Sequence, residues 1–208
     1  MIRLDIFSDP VCPWCYIGKA NLDRALEAAS GHPFAVEWHP FQLNPDMAPE
    51  GVDRADYLNA KFGGRMAEVN ARLQQAAAAA GLSIDLAAIA RVPNTLDAHR
   101  LIHWAGLEGR QAAVVSAVFR AYWREGRNIG DRAVLAGIAG AAGMDAAMTA
   151  RLLASDADAA DITARDQDAR RKGVSAVPTF LIAQHYVVSG AQPPEVWGQV
   201  IAELSAQV

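Results

Sequence analysis

The chain has 208 residues, with 19 Lys and Arg against 23 Asp and Glu and a formal charge of −4. Hydrophobic residues at 52% and charged residues at 20% give an ordinary globular balance, which excludes a disordered chain. Mild acidity without a long basic run argues against a nucleic-acid or anionic-membrane partner, and no apolar stretch approaches the roughly 18 residues of a membrane span.

In chain order, Ile2, Leu4 and Ile6 alternate with Arg3, Asp5 and Phe7 ahead of Ser8-Asp9-Pro10, which predicts a short strand and a turn. The strand begins at once, with no apolar signal segment or small-residue cleavage site, so the expected location is the cytoplasm. Beyond Pro13, Trp14, Ile17, Leu22, Ala25, Leu26 and Ala29 recur near helical spacing until Gly31-His32-Pro33. Phe34 to Phe41 reads as a second strand, closed by Asn44-Pro45. Strand, helix, strand in so short a stretch is the layout of a βαβ unit with parallel strands.

From 53 to 173 the pattern is helical almost throughout, helped by alanine, which makes up about a fifth of the chain. Expected helices cover 53–80, 85–90, 95–107, 110–125, 131–142, 145–154 and 156–172. Gly81, Gly109, Gly126, Gly143 and Gly173 fall at or just past their ends, where glycine suits a left-handed cap. No fixed-period repeat is present, which disfavours a helical solenoid. Val177 to Ile182 and Tyr186 to Ser189 are expected strands joined by a tight turn at Gln184-His185. Pro193-Pro194 then opens a last amphipathic helix through Val196, Val200, Ile201 and Leu204. The order is β-α-β, a helical block, then α-β-β-α, an α/β arrangement.

Cys12 and Cys15 are the only cysteines, three residues apart, so they cannot brace distant parts of the fold. They lie where a strand ends and a helix begins. Free N–H groups and partial positive charge at a helix N-terminus stabilise a thiolate, and Pro13 suits the first helical turn. Helical spacing sets the two sulfurs side by side, close enough for a disulfide. Cys12 is expected to be the solvent-accessible attacker and Cys15 the more buried resolving thiol. Two other readings stand beside this one: half of a zinc site, which lacks a second cysteine pair, and cysteines that merely pack. No metal is expected; His99 and His103, four apart, are the only closely spaced histidines.

The run Ser8-Asp9-Pro10-Val11-Cys12-Pro13-Trp14-Cys15-Tyr16-Ile17-Gly18-Lys19 resembles the FrnE-type branch of the DsbA family. Pro40-Phe41-Gln42-Leu43-Asn44-Pro45, Asn94-Thr95 with Ala98-His99-Arg100-Leu101, Ala121-Tyr122 with Glu125-Gly126, Val177-Pro178-Thr179-Phe180 and Ser189-Gly190-Ala191-Gln192 extend the resemblance to nearly the whole chain. It implies a thioredoxin fold over 1–45 and 158–208, interrupted by an all-helical insertion over 46–157. It implies a cytosolic thiol–disulfide oxidoreductase or isomerase, acting on disulfide- or dithiol-containing proteins or small thiols, with a cellular thiol as redox partner. The branch also lies close to kappa-class glutathione transferases and 2-hydroxychromene-2-carboxylate isomerases, which typically carry serine where Cys12 stands.

By the resemblance, Val177-Pro178 is a cis-proline loop facing the cysteines, where the residue before proline can pair with a substrate strand. Ser189, Gly190, Ala191 and Gln192 correspond to a loop that helps hold glutathione in the kappa-class relatives, and their other reading is a plain strand-to-helix turn. Asn94 and Thr95 sit where the helical block faces the active site, or simply cap the next helix. His99 is either a proton carrier or a polar residue satisfied inside that block. Pro13 and Trp14 tune the pair rather than react, giving a potential expected between those of thioredoxin and DsbA. No bound cofactor is expected, glutathione being a redox partner. A glutathione-dependent transferase or isomerase and a chaperone-like peptide binder are the rival functions.

Overall fold

β1 (Ile2–Ser8) lies inside a four-stranded sheet of order β2-β1-β5-β6 in the computed structural model, which describes residues 1–29 and 31–206. It runs parallel to β2 (Phe34–Pro40) and antiparallel to β5 (Thr179–Ile182), which forms a hairpin with β6 (Tyr186–Ser189). α1 (Pro13–Ala28) makes the crossover between the parallel strands, as the βαβ pattern predicts.

The alternation in β1 divides the two faces of this sheet. Leu4 and Ile6 are fully buried with Phe180, Ile182 and Leu22 in one apolar core, closed by Trp197 of α9 (Pro194–Ser205), whose ring meets Phe180 edge-on at 4.7 Å. Arg3, Asp5 and Phe7 turn to the other face, beside Glu37 and His39, where Asp5 bonds both Arg3 and His39.

Between β2 and β5 the chain is helical: α2 (Arg54–Phe62), α3 (Met66–Ala79), α4 (Leu96–Leu107), α5 (Gln111–Trp123), α6 (Arg132–Ala141), α7 (Ala146–Ala154) and α8 (Ala159–Arg171). Leu101, Val114, Val118, Phe119, Leu135 and Leu153 form its buried centre, continuous with the core beneath the sheet. The block also closes the outer edge of β2. The Gln111 side chain accepts from the Trp38 N–H at 2.9 Å and donates to the Trp38 carbonyl at 3.1 Å, standing in for a neighbouring strand.

Several expected boundaries move. The helix expected over 53–80 breaks at Gly63, whose φ of 53° starts a short 3-10 turn through Arg65. Residues 85–90 form turns, not a helix, because Asp85 accepts from the backbone N–H groups of Ala87 and Ala88. The chain emerging from those turns makes β4 (Arg91–Val92), paired antiparallel with β3 (Val52–Asp53), a ladder too short to leave a sequence pattern. Gly126 is needed here: its φ is +64°, and a Cβ would stand 2.5 Å from the Ala88 carbonyl oxygen. The β5–β6 turn is made by Ala183 and Gln184, one residue earlier than expected, with φ of 52° and 62°. Val177 and Pro178 precede β5, which begins at Thr179.

Candidate active site

Cys12 is the N-cap of α1 and Pro13 its first helical residue. The Cys12 N–H donates to the Asp9 carbonyl at 2.9 Å, while the Cys12 carbonyl accepts from Cys15 and Tyr16. Both cysteines are free thiols. The Val177–Pro178 peptide is cis, and the Cys12 thiol points at the Val177 carbonyl, with Sγ 3.6 Å from the oxygen. That loop covers Cys12, which is only 4% exposed against 1% for Cys15. The expected contrast between an open and a buried thiol is therefore corrected: both are buried, and Trp14 at 39% is the exposed member of the motif.

Two residues that drew no separate notice in the sequence bring the loops together. Gly18 lies one turn beyond Cys15; a Cβ there would stand 3.0 Å from Pro178 Cγ and 3.4 Å from Ala191 Cα. Its bareness lets the helix approach both loops, and the three-residue step from Cys15 is the one signal the sequence offered. Asn21, buried on the same helix, donates to the Gln192 carbonyl at 2.9 Å. The ladder continues past β5, the Gly190 N–H donating to the Pro178 carbonyl at 2.8 Å. Ser189, Gly190, Ala191 and Gln192 thus border the cis-proline loop, and Gln192 folds back onto the Ser189 carbonyl.

The helical block meets the cysteine loop on its outer and inner sides. On the outer side, the Trp123 indole N–H donates to the Pro10 carbonyl at 2.9 Å. A cleft of about 100 Å³ runs from Val11 and Pro13 to Arg54, Tyr57 and Lys61 of α2. Lys61 donates to the Tyr57 hydroxyl at 3.1 Å, and that hydroxyl donates to Asn44 at 2.9 Å. The helical pattern of α2 gave no reason to single these residues out.

On the inner side, Asp9 is fully buried; its carboxyl accepts from the Leu43 N–H at 2.7 Å and the Val11 N–H at 3.4 Å. Burial pushes its pKa up to about 7, against the pull of those bonds and of the Thr95 hydroxyl. His99 Nε2 lies 3.8 Å from Asp9 Oδ1, and burial lowers the His99 pKa to about 4. Thr95 and His99 are each 3% exposed and stand behind the cysteine loop, where the helical block meets it. Thr95 is the N-cap residue of α4 but its side chain makes no cap bond; Asn94, one residue earlier, accepts from the Leu96 N–H at 2.9 Å, and its amide donates to the Met47 carbonyl. α8 clamps the adjoining segment: Asp166 accepts from the Gln42 N–H at 2.8 Å, and Arg170 pairs with Asp166 and lies over the Phe41 ring.

The thiol of Cys15 is pushed well up by burial and by the neighbouring Cys12, against a smaller opposing pull from the Asp9 backbone and the Ser8 side chain. Among the described residues, one set of three ligand-type groups converges within 4.8 Å, Asp5, Glu37 and His39. It lies on the sheet, and Arg3 bridges both of its carboxylates. Among the described residues, no helix is long and apolar enough to cross a membrane.

The profile of the DSBA-like thioredoxin domain family matches residues 3–202, and the chain belongs to that family. A probable DsbA oxidoreductase from Streptomyces coelicolor superposes with a TM-score of 0.87 at 33% identity, covering 100% of this chain and 92% of that one. The uncharacterized protein YwbO of Bacillus subtilis is 29% identical over 97% of this chain and 96% of its own length. Two structures share the fold at lower identity. The cytosolic disulfide reductase DsbM of Pseudomonas aeruginosa, also solved with GSH, has a TM-score of 0.71 at 21% identity over 99% of this chain and 100% of its own. 2-Hydroxychromene-2-carboxylate isomerase has a TM-score of 0.75 at 18% identity over 99% and 97%.

Proposed function

We propose that this member of the DsbA-like thioredoxin family is a cytoplasmic thiol–disulfide oxidoreductase or isomerase whose reacting groups are Cys12 and Cys15. The observation that carries the reading is a pair of free thiols at the start of α1, with the Cys12 sulfur against the carbonyl that precedes a cis-proline. Cys12 thiolate attacks a substrate disulfide to give a mixed disulfide; Cys15 resolves it, and the reverse sequence oxidises a substrate dithiol. Sulfur alone carries this exchange, so no bound metal or organic cofactor enters it.

The substrate would lie across Val177-Pro178 and the 189–192 loop. The Val177 carbonyl that faces Cys12 is a main-chain group that an extended substrate can also address. Arg54 and Lys61 bring positive charge to the cleft beside Pro13 and suit a substrate bearing a carboxylate, glutathione among them. Pro13 and Trp14 tune the couple, with a potential between those of thioredoxin and DsbA.

Equilibration in glutathione redox buffers, followed by Trp14 fluorescence, tests this. A reversible two-electron transition is expected. Failure to form a disulfide in any buffer would end the redox reading, and glutathione binding without disulfide turnover would bring forward a transferase or isomerase. Protection of unfolded chains that survives loss of both thiols would point to a peptide binder.

A further inference from the structure

The face of the sheet turned away from the apolar core carries a group of polar side chains that the exchange does not use. Asp5 of β1 and Glu37 of β2 are register partners, and His39 stands opposite Phe7 two residues further along, so two adjacent strands hold all three on one face. Side chains on strands are placed more closely than those on loops. None of the three lies on α1, on the cis-proline loop or in the outer cleft.

Their ligand atoms are drawn together around one point. His39 Nε2 is 2.6 Å from Asp5 Oδ1 and 3.9 Å from Glu37 Oε1. Four-coordinate zinc, with bonds of about 2.0–2.1 Å, sets its ligand atoms about 3.4 Å apart, so one distance must open and the other close by less than about 1 Å. The Asp5 carboxylate is buried and fixed, while Glu37 is half-exposed and free to adjust. The Phe7 ring stacks on His39 at 5.2 Å and holds the plane of the imidazole. A cleft of about 740 Å³ between the sheet and α8 reaches all three groups and gives an ion a way in.

One imidazole and two carboxylates form a donor set that suits zinc. Arg3 now balances part of their charge, with Nε 2.7 Å from Asp5 and Nη2 3.1 Å from Glu37. Two carboxylates against one guanidinium leave a negative charge in excess, and the long side chain of Arg3, itself half-exposed, can turn out to solvent. The other cations lining this cleft are engaged with α8 itself: Arg165 with Asp161, and Arg171 and Lys172 with Asp168.

We propose that Asp5, Glu37 and His39 form a zinc site for which Arg3 is the competing occupant. Zinc takes the place of the hydrogen between His39 Nε2 and Asp5, the neutral imidazole carries its hydrogen on Nδ1 instead, and Arg3 swings away. A fourth position faces the cleft and takes water. Bound there, the ion ties β1 to β2 and takes no part in the sulfur chemistry, so the site stands independently of the exchange reading.

Cobalt(II) is the spectroscopic probe, titrated into the unmodified full chain. A single cobalt should bind with the visible bands of nitrogen and oxygen ligation, while any binding at the thiols shows separately as an intense near-ultraviolet sulfur band. Zinc should displace the cobalt and raise the melting temperature with its concentration. His39→Gln should weaken binding about ten-fold or more, and Glu37→Gln, at a half-exposed position, serves if His39→Gln does not fold. Arg3→Gln should tighten binding about ten-fold by removing the competing charge. Cobalt bound only with the sulfur band would assign the metal to Cys12 and Cys15 and overturn the site. Absence of saturable binding, or an affinity unmoved by both His39→Gln and Glu37→Gln, would also overturn it and leave the three as an ion-pair network. Binding no tighter in Arg3→Gln would overturn the part given to Arg3.

Discussion

The core beneath the sheet and the seam where the helical block meets the cysteine loop are both buried, but they are assembled from different groups. Leu4, Ile6, Phe180, Ile182 and Trp197 fill the first almost wholly with carbon. At the seam, Asp9, Gln42, Thr95, His99, Asp166 and the Trp123 indole are sequestered with their polar atoms. An apolar core gains from area and tolerates volume-conserving exchange. A buried polar seam is held by particular bonds, and each lost partner leaves another group unsatisfied. The cysteines stand between the two, on a helix whose apolar side belongs to the core and whose first turn belongs to the seam. α1 is thus held by apolar packing on one side and, around the loop that leads into it, by polar bonds on the other.

Substitution at the sulfurs should break the comparison furthest. Cys12→Ser should abolish exchange, while Cys15→Ser should accumulate mixed disulfides visible as added mass on the intact protein. Equal, full activity in both variants would remove the sulfurs from the mechanism. Both sulfurs belong to the buried core cluster, so each serine should also lower the melting temperature of the reduced protein, Cys15→Ser the more of the two.

Next in size is the contrast in stability. Leu4→Ala, in the carbon core, should cost about 2–5 kcal/mol in denaturant unfolding with little effect on the properties of the remaining folded thiols. Trp123→Phe, at the seam, should cost about 1–3 kcal/mol by orphaning the Pro10 carbonyl, and should also change the exchange rate. An unchanged rate in Trp123→Phe would mean that the seam does not control the loop.

The seam should also leave its mark on the pH dependence of stability. Asp9 is raised to about 7 from an ordinary carboxylate value near 4, so across that interval the native chain holds a proton the unfolded chain has lost. Its contribution therefore falls as pH rises. His99 is lowered to about 4 from 6.5, so there the unfolded chain holds the extra proton and the contribution rises with pH. The two slopes oppose each other from about pH 4 to 6.5 in the unmodified protein. Asp9→Asn should leave the rising slope and His99→Gln the falling one, as read by urea titration at several pH values. Parallel profiles in all three proteins would contradict this picture of the pair.

The smallest effect should come from the rim of the outer cleft. Lys61→Ala should slow reaction with oxidised glutathione a few-fold while sparing an uncharged disulfide, and added salt should shrink the difference. Equal slowing of both substrates would assign Lys61 to the shape of the cleft, not to its charge.

How much of this was legible in the sequence depends on whether a feature is local. Alternation in Ile2, Leu4 and Ile6, the helical recurrence after Pro13 and the proline ahead of Thr179 each announce themselves within a few residues. Their order was enough for the βαβ unit, the long helical insertion and the closing hairpin with its helix. The cysteine motif was legible for the same reason, since three residues on a helix fix how two side chains stand. The break at Gly63, the turns after Asp85 and the two-residue ladder of β3 and β4 were not. There a side-chain bond or a distant strand overrode a favourable helical composition.

The sequence by itself determined the alternation of apolar and polar residues, the helix start at Cys12 and the identity of the two sulfurs. Only the tertiary structure decided that Cys12 is covered by Val177, that Gly18 must be bare, and that Asp9 and His99 face each other. Those two residues are 90 positions apart in sequence numbering. Their meeting follows from docking α4 behind the cysteine loop, because burial and charge proximity belong to the packed arrangement rather than to any stretch of chain.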